Sequence, residues 1–192
     1  MLMSTKILSG QLKGSVLVVP GSARPTLLRF RQSLFDMMVS MAHNPKDFFK
    51  DKAILDCFAG SGALGIESLS RGASFAYFVD ISQKAINAIY KNIQKLSLED
   101  RSKIIKTDIL KIRKPQERAA CDIVFIDPPY GKVSIKKTLQ HLFKTGWINE
   151  NSLIVTEEDT LKAEDLSNIT EIVLEKNLGK SVFRITKLKI DL

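Results

Sequence analysis

The sequence predicts an α/β fold: a mostly parallel sheet covered by helices on both faces, preceded by a β-hairpin and a helix. Three observations lead there. From Lys52 onward, short apolar runs alternate with helix-length segments, the pattern of repeated βα units. The run ending Ile123-Val124-Phe125-Ile126 has no polar alternation, as expected of a strand buried on both faces. Two late strand-like runs follow each other with no long helix between them, which predicts one antiparallel strand near the end.

The elements follow in order. Lys6–Ser9 and Ser15–Val19 read as a hairpin turning through Gly10 and Gly14. Pro20, Gly21 and Pro25 break the pattern. A helix is expected from Thr26, as cap, to about Met41, with Leu27, Leu28, Leu34, Phe35 and Met38 as its apolar stripe. Asn44-Pro45 closes it. Ala53–Ala59 is the first strand of the repeating region. Gly62–Arg71 is a helix stopped by Gly72, and Ser74–Val79 the next strand. Ser82–Leu96 is a helix expected to be capped by Ser82. Lys103–Thr107 and Asp122–Ile126 are strands, Ser134–Lys144 a helix, and Ser152–Thr156 a strand. Glu171–Glu175 and Val182–Lys189 form the terminal pair. The division is residues 1–50 as an extension and 51–192 as the main domain.

Composition narrows the function. At 192 residues, 44% hydrophobic and 26% charged, the chain is of ordinary globular make-up. It has no apolar run of the roughly 20 residues a membrane span needs, and residues 1–13 do not read as a secretory signal. Cys57 and Cys121 sit within apolar runs and read as reduced, buried thiols of a cytoplasmic protein. His43 and His141 have no ligand-spaced partners, so no metal site is expected. The net charge is +8, and residues 1–50 hold seven Lys/Arg against two Asp/Glu. A basic N-terminal quarter beside a nearly balanced body suggests a face for a polyanion.

Two motifs carry chemistry. The first strand runs into Asp56-Cys57-Phe58-Ala59-Gly60-Ser61-Gly62-Ala63-Leu64-Gly65. Gly60, Gly62 and Gly65 satisfy GxGxxG, and Asp80 closes the second strand. Glycines allow a tight turn and close approach to a ligand, and the acid can accept from both ribose hydroxyls. A dinucleotide and S-adenosylmethionine (AdoMet) both fit. Asp56 favours AdoMet, whose sulfonium and ammonium are cationic, over a pyrophosphate.

The second motif is Asp127-Pro128-Pro129-Tyr130, at the carboxyl end of a central strand. Open α/β sheets bind ligands at that edge. The prolines make the turn rigid and leave carbonyls free to accept. A base can stack on Tyr130 while its amino group donates to Asp127 and to the Pro128 carbonyl. Aimed at a methyl sulfonium, that nitrogen needs positioning more than acid–base help.

With these residues in place the chain resembles class I AdoMet methyltransferases acting on base amino groups. The stretch LDCFAGSGALGIESLSRGA (Leu55–Ala73) resembles the RsmD family, the 16S ribosomal RNA guanine-N2 methyltransferases. So do Ile7-Leu8-Ser9-Gly10 with Gly14, Arg24-Pro25-Thr26 with Arg29 and Arg31, Leu34-Phe35 and Gly146-Trp147. The resemblance implies a three-layer αβα sandwich with a seven-stranded, Rossmann-like sheet. It further implies methylation of one guanine of small-subunit rRNA, in the subunit or an assembly intermediate, by a monomer. Carried over by position, Asp56, Phe58, Gly60 and Gly62 line the methionine part of AdoMet, and Asp80 holds the ribose. Ile81 packs on the adenine, and Asp108 with Ile109 reads its edge. Asp127, Pro128 and Tyr130 are the catalytic set. Thr26 or a neighbouring arginine meets the AdoMet carboxylate, and Lys13, Arg24, Arg29 and Arg31 meet RNA. The chain departs from the family at Leu27, Gln32 and Ser15, where Asp, Glu and Arg are usual.

Alternatives stay open. DNA adenine-N6 and cytosine-N4 methyltransferases share the second motif, but this chain leaves little room for their target-recognition segment. Protein glutamine-N5 methyltransferases carry Asn at the position of Asp127. A non-catalytic RNA-binding assembly factor and a dinucleotide oxidoreductase share the fold.

Overall fold

The structure is a computed structural model, and it describes residues 4–20, 28–113, 120–128, 133–161 and 163–189. Seven strands form one sheet: β3 (Ala53–Cys57), β4 (Phe75–Asp80), β5 (Ser102–Lys106), β6 (Ile123–Ile126), β7 (Leu153–Asp159), β8 (Thr170–Leu178) and β9 (Ser181–Leu188). They lie in the order β5-β4-β3-β6-β7-β9-β8. The first five are parallel, and β9 runs antiparallel to both β7 and β8. The one expected antiparallel strand is therefore the last, inserted between its two predecessors. Outside the sheet, β1 (Ser4–Lys6) and β2 (Val16–Val18) make an antiparallel hairpin.

Among the described residues four α-helices accompany these strands: α1 (Leu28–Val39), α2 (Ala63–Ser70), α3 (Gln83–Lys95) and α4 (Ile135–Lys144). Every residue of β3 and β6 is buried, which explains their unbroken apolar character. Alternation along the strands divides the core in two. Ile54, Phe78, Phe125 and Val155 face α1, α2, α3 and the hairpin, beside Ile7, Leu17, Phe35 and Met38. Leu55, Val79, Val124 and Ile154 face the opposite layer, with Leu139, Leu142 and Trp147. Ile7, Leu17, Leu34, Phe35, Met38 and Phe49, all from the first fifty residues, thus join the same core as the sheet.

Three polar anchors fix the layers. Glu67, fully buried on α2, accepts from the Leu8 and Ser9 amides at 2.7 and 3.0 Å and from Arg71 Nε at 2.8 Å. Ser70 Oγ accepts from Leu12 N and donates to Ser9 O. The Glu164 carboxylate covers the start of α4. Its Oε1 accepts from Ile135 N at 2.8 Å, and its Oε2 accepts from Lys136 N at 3.1 Å and Ser134 Oγ at 2.9 Å. Ser134 caps α4 as its position suggests, accepting from Lys137 N. Ser82 occupies the N-cap of α3, but its side chain makes no capping bond, correcting the expected cap. The amide of Ser82 is instead held by Asp80. Cys57 and Cys121 are buried, and neither is in a disulfide.

Candidate active site

The carboxyl ends of β3, β4, β6 and β7 converge on one edge of the sheet. Chain after β3 turns through three left-handed residues, Phe58 (φ 59°), Gly60 (φ 58°) and Gly62 (φ 77°), before α2 begins. Positive φ is uncommon for an aromatic residue, so Phe58 marks a constrained turn. A Cβ on Gly62 would lie 3.2 Å from the Phe78 ring, and one on Gly65 only 2.4 Å away. Glycine at these two positions lets α2 sit tightly on β4.

Asp80 holds the turn from one side. Its Oδ2 accepts from Gly60 N at 2.9 Å and its Oδ1 from Ser82 N at 2.8 Å. An ionised carboxylate has about four acceptor positions, so it can also take ribose hydroxyls. The next residue, Ile81, is 67% exposed, an apolar side chain left in solvent just past the end of β4.

Asp56 is only 2% exposed and lies behind the turn. Its Oδ2 accepts from Gly65 N at 2.9 Å. Burial pushes its carboxyl well above the usual range, the Gly65 amide opposes this, and Asp127 and Asp80 push it further. Asp56, expected to line the methionine part of AdoMet, braces the glycine turn from behind through its bond to Gly65.

Asp127 and Pro128 follow β6, both half-buried. Burial raises the Asp127 carboxyl to about 7, with a further push from Glu157. Glu157 is one residue past Thr156, the register partner of Ile126, and accepts from Ser181 Oγ at 3.1 Å. Sequence reasoning passed over Glu157. Its place at the end of the next parallel strand was the available signal. Asp80, Asp127 and Glu157 line one acidic edge, with Asp56 buried behind it. Such an edge repels a pyrophosphate and attracts a cationic ligand.

The family model described as conserved hypothetical protein 95 matches residues 5–187. The chain belongs to this family. Among its curated relatives is the ribosomal RNA small subunit methyltransferase D of Buchnera aphidicola from Acyrthosiphon pisum. It is 38% identical, over 80% of this chain and 77% of that relative. The Escherichia coli protein of the same name is 32% identical, over 80% of this chain and 74% of its own length. A solved structure from Escherichia coli, 28% identical, superposes with a TM-score of 0.81 over 97% of this chain and 99% of that one. At 19% identity a ribosomal protein L11 methylase of Lactobacillus delbrueckii shares the fold alone, with a TM-score of 0.61. The RsmD resemblance and the class I methyltransferase fold are thereby shown.

Within this family frame the remaining expected residues divide. Asp108 is half-buried, and its side chain accepts from Leu110 N at 3.0 Å, starting a short 3-10 turn. Ile109 is buried in the core on the α4 side, so any contact from it to an adenine edge would be through backbone. Phe58 packs half-buried against that same core. Lys13 is exposed on the hairpin turn. Arg31 is corrected: it is 1% exposed and donates from a guanidinium nitrogen to the Lys6 carbonyl. Burial lowers its pKa, offset in part by Glu67. It ties α1 to the hairpin and cannot meet RNA phosphate from there. Arg24, Thr26, Tyr130 and the side chain of Arg29 lie outside the described residues. The described residues include no group of three or more His, Cys, Asp or Glu side chains arranged to hold a metal. No helix among them is long and apolar enough to cross a membrane.

Proposed function

We propose that the chain transfers a methyl group from S-adenosyl-L-methionine to the exocyclic N2 amine of a guanine in small-subunit ribosomal RNA. The product is S-adenosyl-L-homocysteine. The observation that carries this reading is Asp127, raised to about 7 beside Glu157, on the same sheet edge as the Asp80-braced glycine turn. The names of the relatives support the RNA class.

The acidic edge suits AdoMet. Asp80 would take the ribose hydroxyls, Ile81 would cover the adenine, and the Gly60–Gly62 turn would flank the methionine part. The cofactor supplies a methyl group on an already activated sulfonium. The chain's own contribution is placement, and well-oriented reactants can gain on the order of 7–11 kcal/mol that way. Asp127, once ionised, accepts one hydrogen of the amine, and the Pro128 carbonyl accepts the other. Held by these two acceptors, the amine nitrogen would present its lone pair to the methyl group that the cofactor would supply. As the N–CH3 bond forms, the surplus amine proton passes to Asp127 or to water, and a group near pH 7 suits that exchange. Two adjacent carboxylates favour a base edge with adjacent donors. Guanine has N1–H beside its N2 amine, whereas adenine and cytosine place an acceptor next to theirs. This favours guanine over the DNA amino-methyltransferase alternative.

Tritiated methyl transfer to small ribosomal subunits, followed by nucleoside mass spectrometry, tests the reading. Wild type is expected to give N2-methylguanosine and Asp127→Ala none. Label on adenine N6 or cytosine N4, or equal label from Asp127→Ala, would overturn it.

A further inference from the structure

Asn92 lies on the apolar face of α3, fully buried among Ala88, Ile89 and Ile93. Its neighbours on that face are core residues, so an amide there needs a reason. Its three hydrogen bonds supply one. Nδ2 donates to Val18 O and to Ser61 O, both at 2.9 Å, and Oδ1 accepts from Val18 N at 2.8 Å. Both N–H donors of the amide are thus used.

The two partners belong to different parts of the molecule. Val18 ends β2 of the hairpin, 74 residues away in sequence. Asn92 grips both of its backbone groups as a neighbouring strand would. Ser61 sits between Gly60 and Gly62, the two left-handed glycines of the turn. Gly60 is held by Asp80 through its N–H, and Ser61 is held by Asn92 through its carbonyl. No other common side chain of this size offers both donors and the acceptor. Asp lacks the donors, Leu lacks all three, and Gln adds a methylene to a fully buried site.

We propose that Asn92 is a positioning residue that couples the cofactor turn to the N-terminal hairpin, so that AdoMet binding and hairpin docking reinforce each other. The proposal rests on the reading of the glycine turn as the AdoMet site. Asn92 acts through Ser61 and β2, without touching the reacting groups. Coupling of this kind is reciprocal: what steadies Val18 at its bonds to Asn92 tightens AdoMet, and AdoMet steadies that one contact, while the hairpin's separate anchors on α2 stand outside the link.

The control is Glu67→Gln, which weakens another of the hairpin's anchors, at Leu8 and Ser9, without a bond to the turn. Calorimetric AdoMet titration and thermal unfolding are run on wild type, Asn92→Ala and Glu67→Gln. Asn92→Ala is expected to bind AdoMet at least tenfold more weakly, with KM for AdoMet rising more than kcat falls. Glu67→Gln is expected to lower Tm and leave AdoMet affinity within twofold. Wild-type affinity in a destabilised but folded Asn92→Ala would reduce Asn92 to a structural residue and overturn the proposal. A wild type that does not bind AdoMet would instead overturn the cofactor reading. Hydrogen exchange on wild type needs no variant: AdoMet should slow exchange at the Val18 amide as well as at Gly60. Slowing at Gly60 with none at Val18 would overturn the coupling.

Discussion

Replacing Asp127 with Asn should make the protein more stable at alkaline pH while impairing methyl transfer. In the folded protein the Asp127 carboxyl is raised from 3.8 to about 7, chiefly by burial and then by Glu157. Between those values the folded chain holds a proton that the unfolded chain has released. Stability therefore falls as pH rises through this window, in proportion to the difference in bound protons. The shift is about three units at ~1.4 kcal/mol each, which sets a ceiling of ~4 kcal/mol on the cost of ionising Asp127 in place. Roughly 1.5 kcal/mol of that cost is already present at pH 5, leaving about 3 kcal/mol to develop by pH 8. An amide has almost the same shape and does not titrate. Urea unfolding of wild type and Asp127→Asn at pH 5 and pH 8 reads the difference directly, because most other titrating groups cancel. The stability advantage of Asn should grow by up to about 3 kcal/mol between the two conditions. An advantage independent of pH, or one that shrinks as pH rises, would refute the assignment of a raised carboxyl to Asp127. Methyl transfer measured at pH 8 on the same samples should fall despite the firmer fold, the usual opposition of stability and function at a strained site.

The acid limb of the wild-type methyl-transfer profile should lie near pH 7, and Glu157→Gln should move it lower by removing a like charge; an unmoved limb would separate the two carboxylates. Gly65→Ala would drive a Cβ to 2.4 Å from Phe78 Cε1, and should cost about 1–3 kcal/mol in chemical unfolding, as overpacked cores do. Arg31→Met should alter Tm and leave the salt dependence of RNA binding unchanged, because Arg31 is spent inside the protein. Lys13→Ala, on the exposed hairpin turn, should lower the salt slope by about one.

The sheet was legible because its strands are buried on both faces and carry that burial as unbroken apolar runs. The antiparallel end followed from the same pattern, whereas the order of the strands, with β9 inserted between β7 and β8, is set by pairing across the sheet and has no local signal. Asp80 and Asp127 were legible for a related reason: each is the first acid after an apolar strand, and strand ends set the binding edge. Arg31, Glu67 and Asn92 were not. A charged or amide residue in a helical pattern reads as a solvated face. What buries these three is a hairpin docked from 25 to 74 residues away. Ser82 misled in the opposite sense. It has the residue type and position of a cap, yet Asp80 takes its amide and its own side chain makes no cap. Glu157 was hidden because its meaning lies across the sheet, beside Asp127, and nothing in its own stretch of sequence announces that neighbour.

The insertion of β9 between β7 and β8 bears on how the chain is made. A ribosome releases β8 before the strand that is its sole sheet partner among the described residues. Until residues 181–188 emerge, β7 presents an open parallel-sheet edge and β8 has nothing to pair with. Unpaired edges of this kind are sites of mispairing between nascent chains. The nascent sheet therefore keeps an unfinished edge until β9 is made. A frameshift or cut ahead of Ser181 would remove an interior strand and leave two aggregation-prone borders in its place.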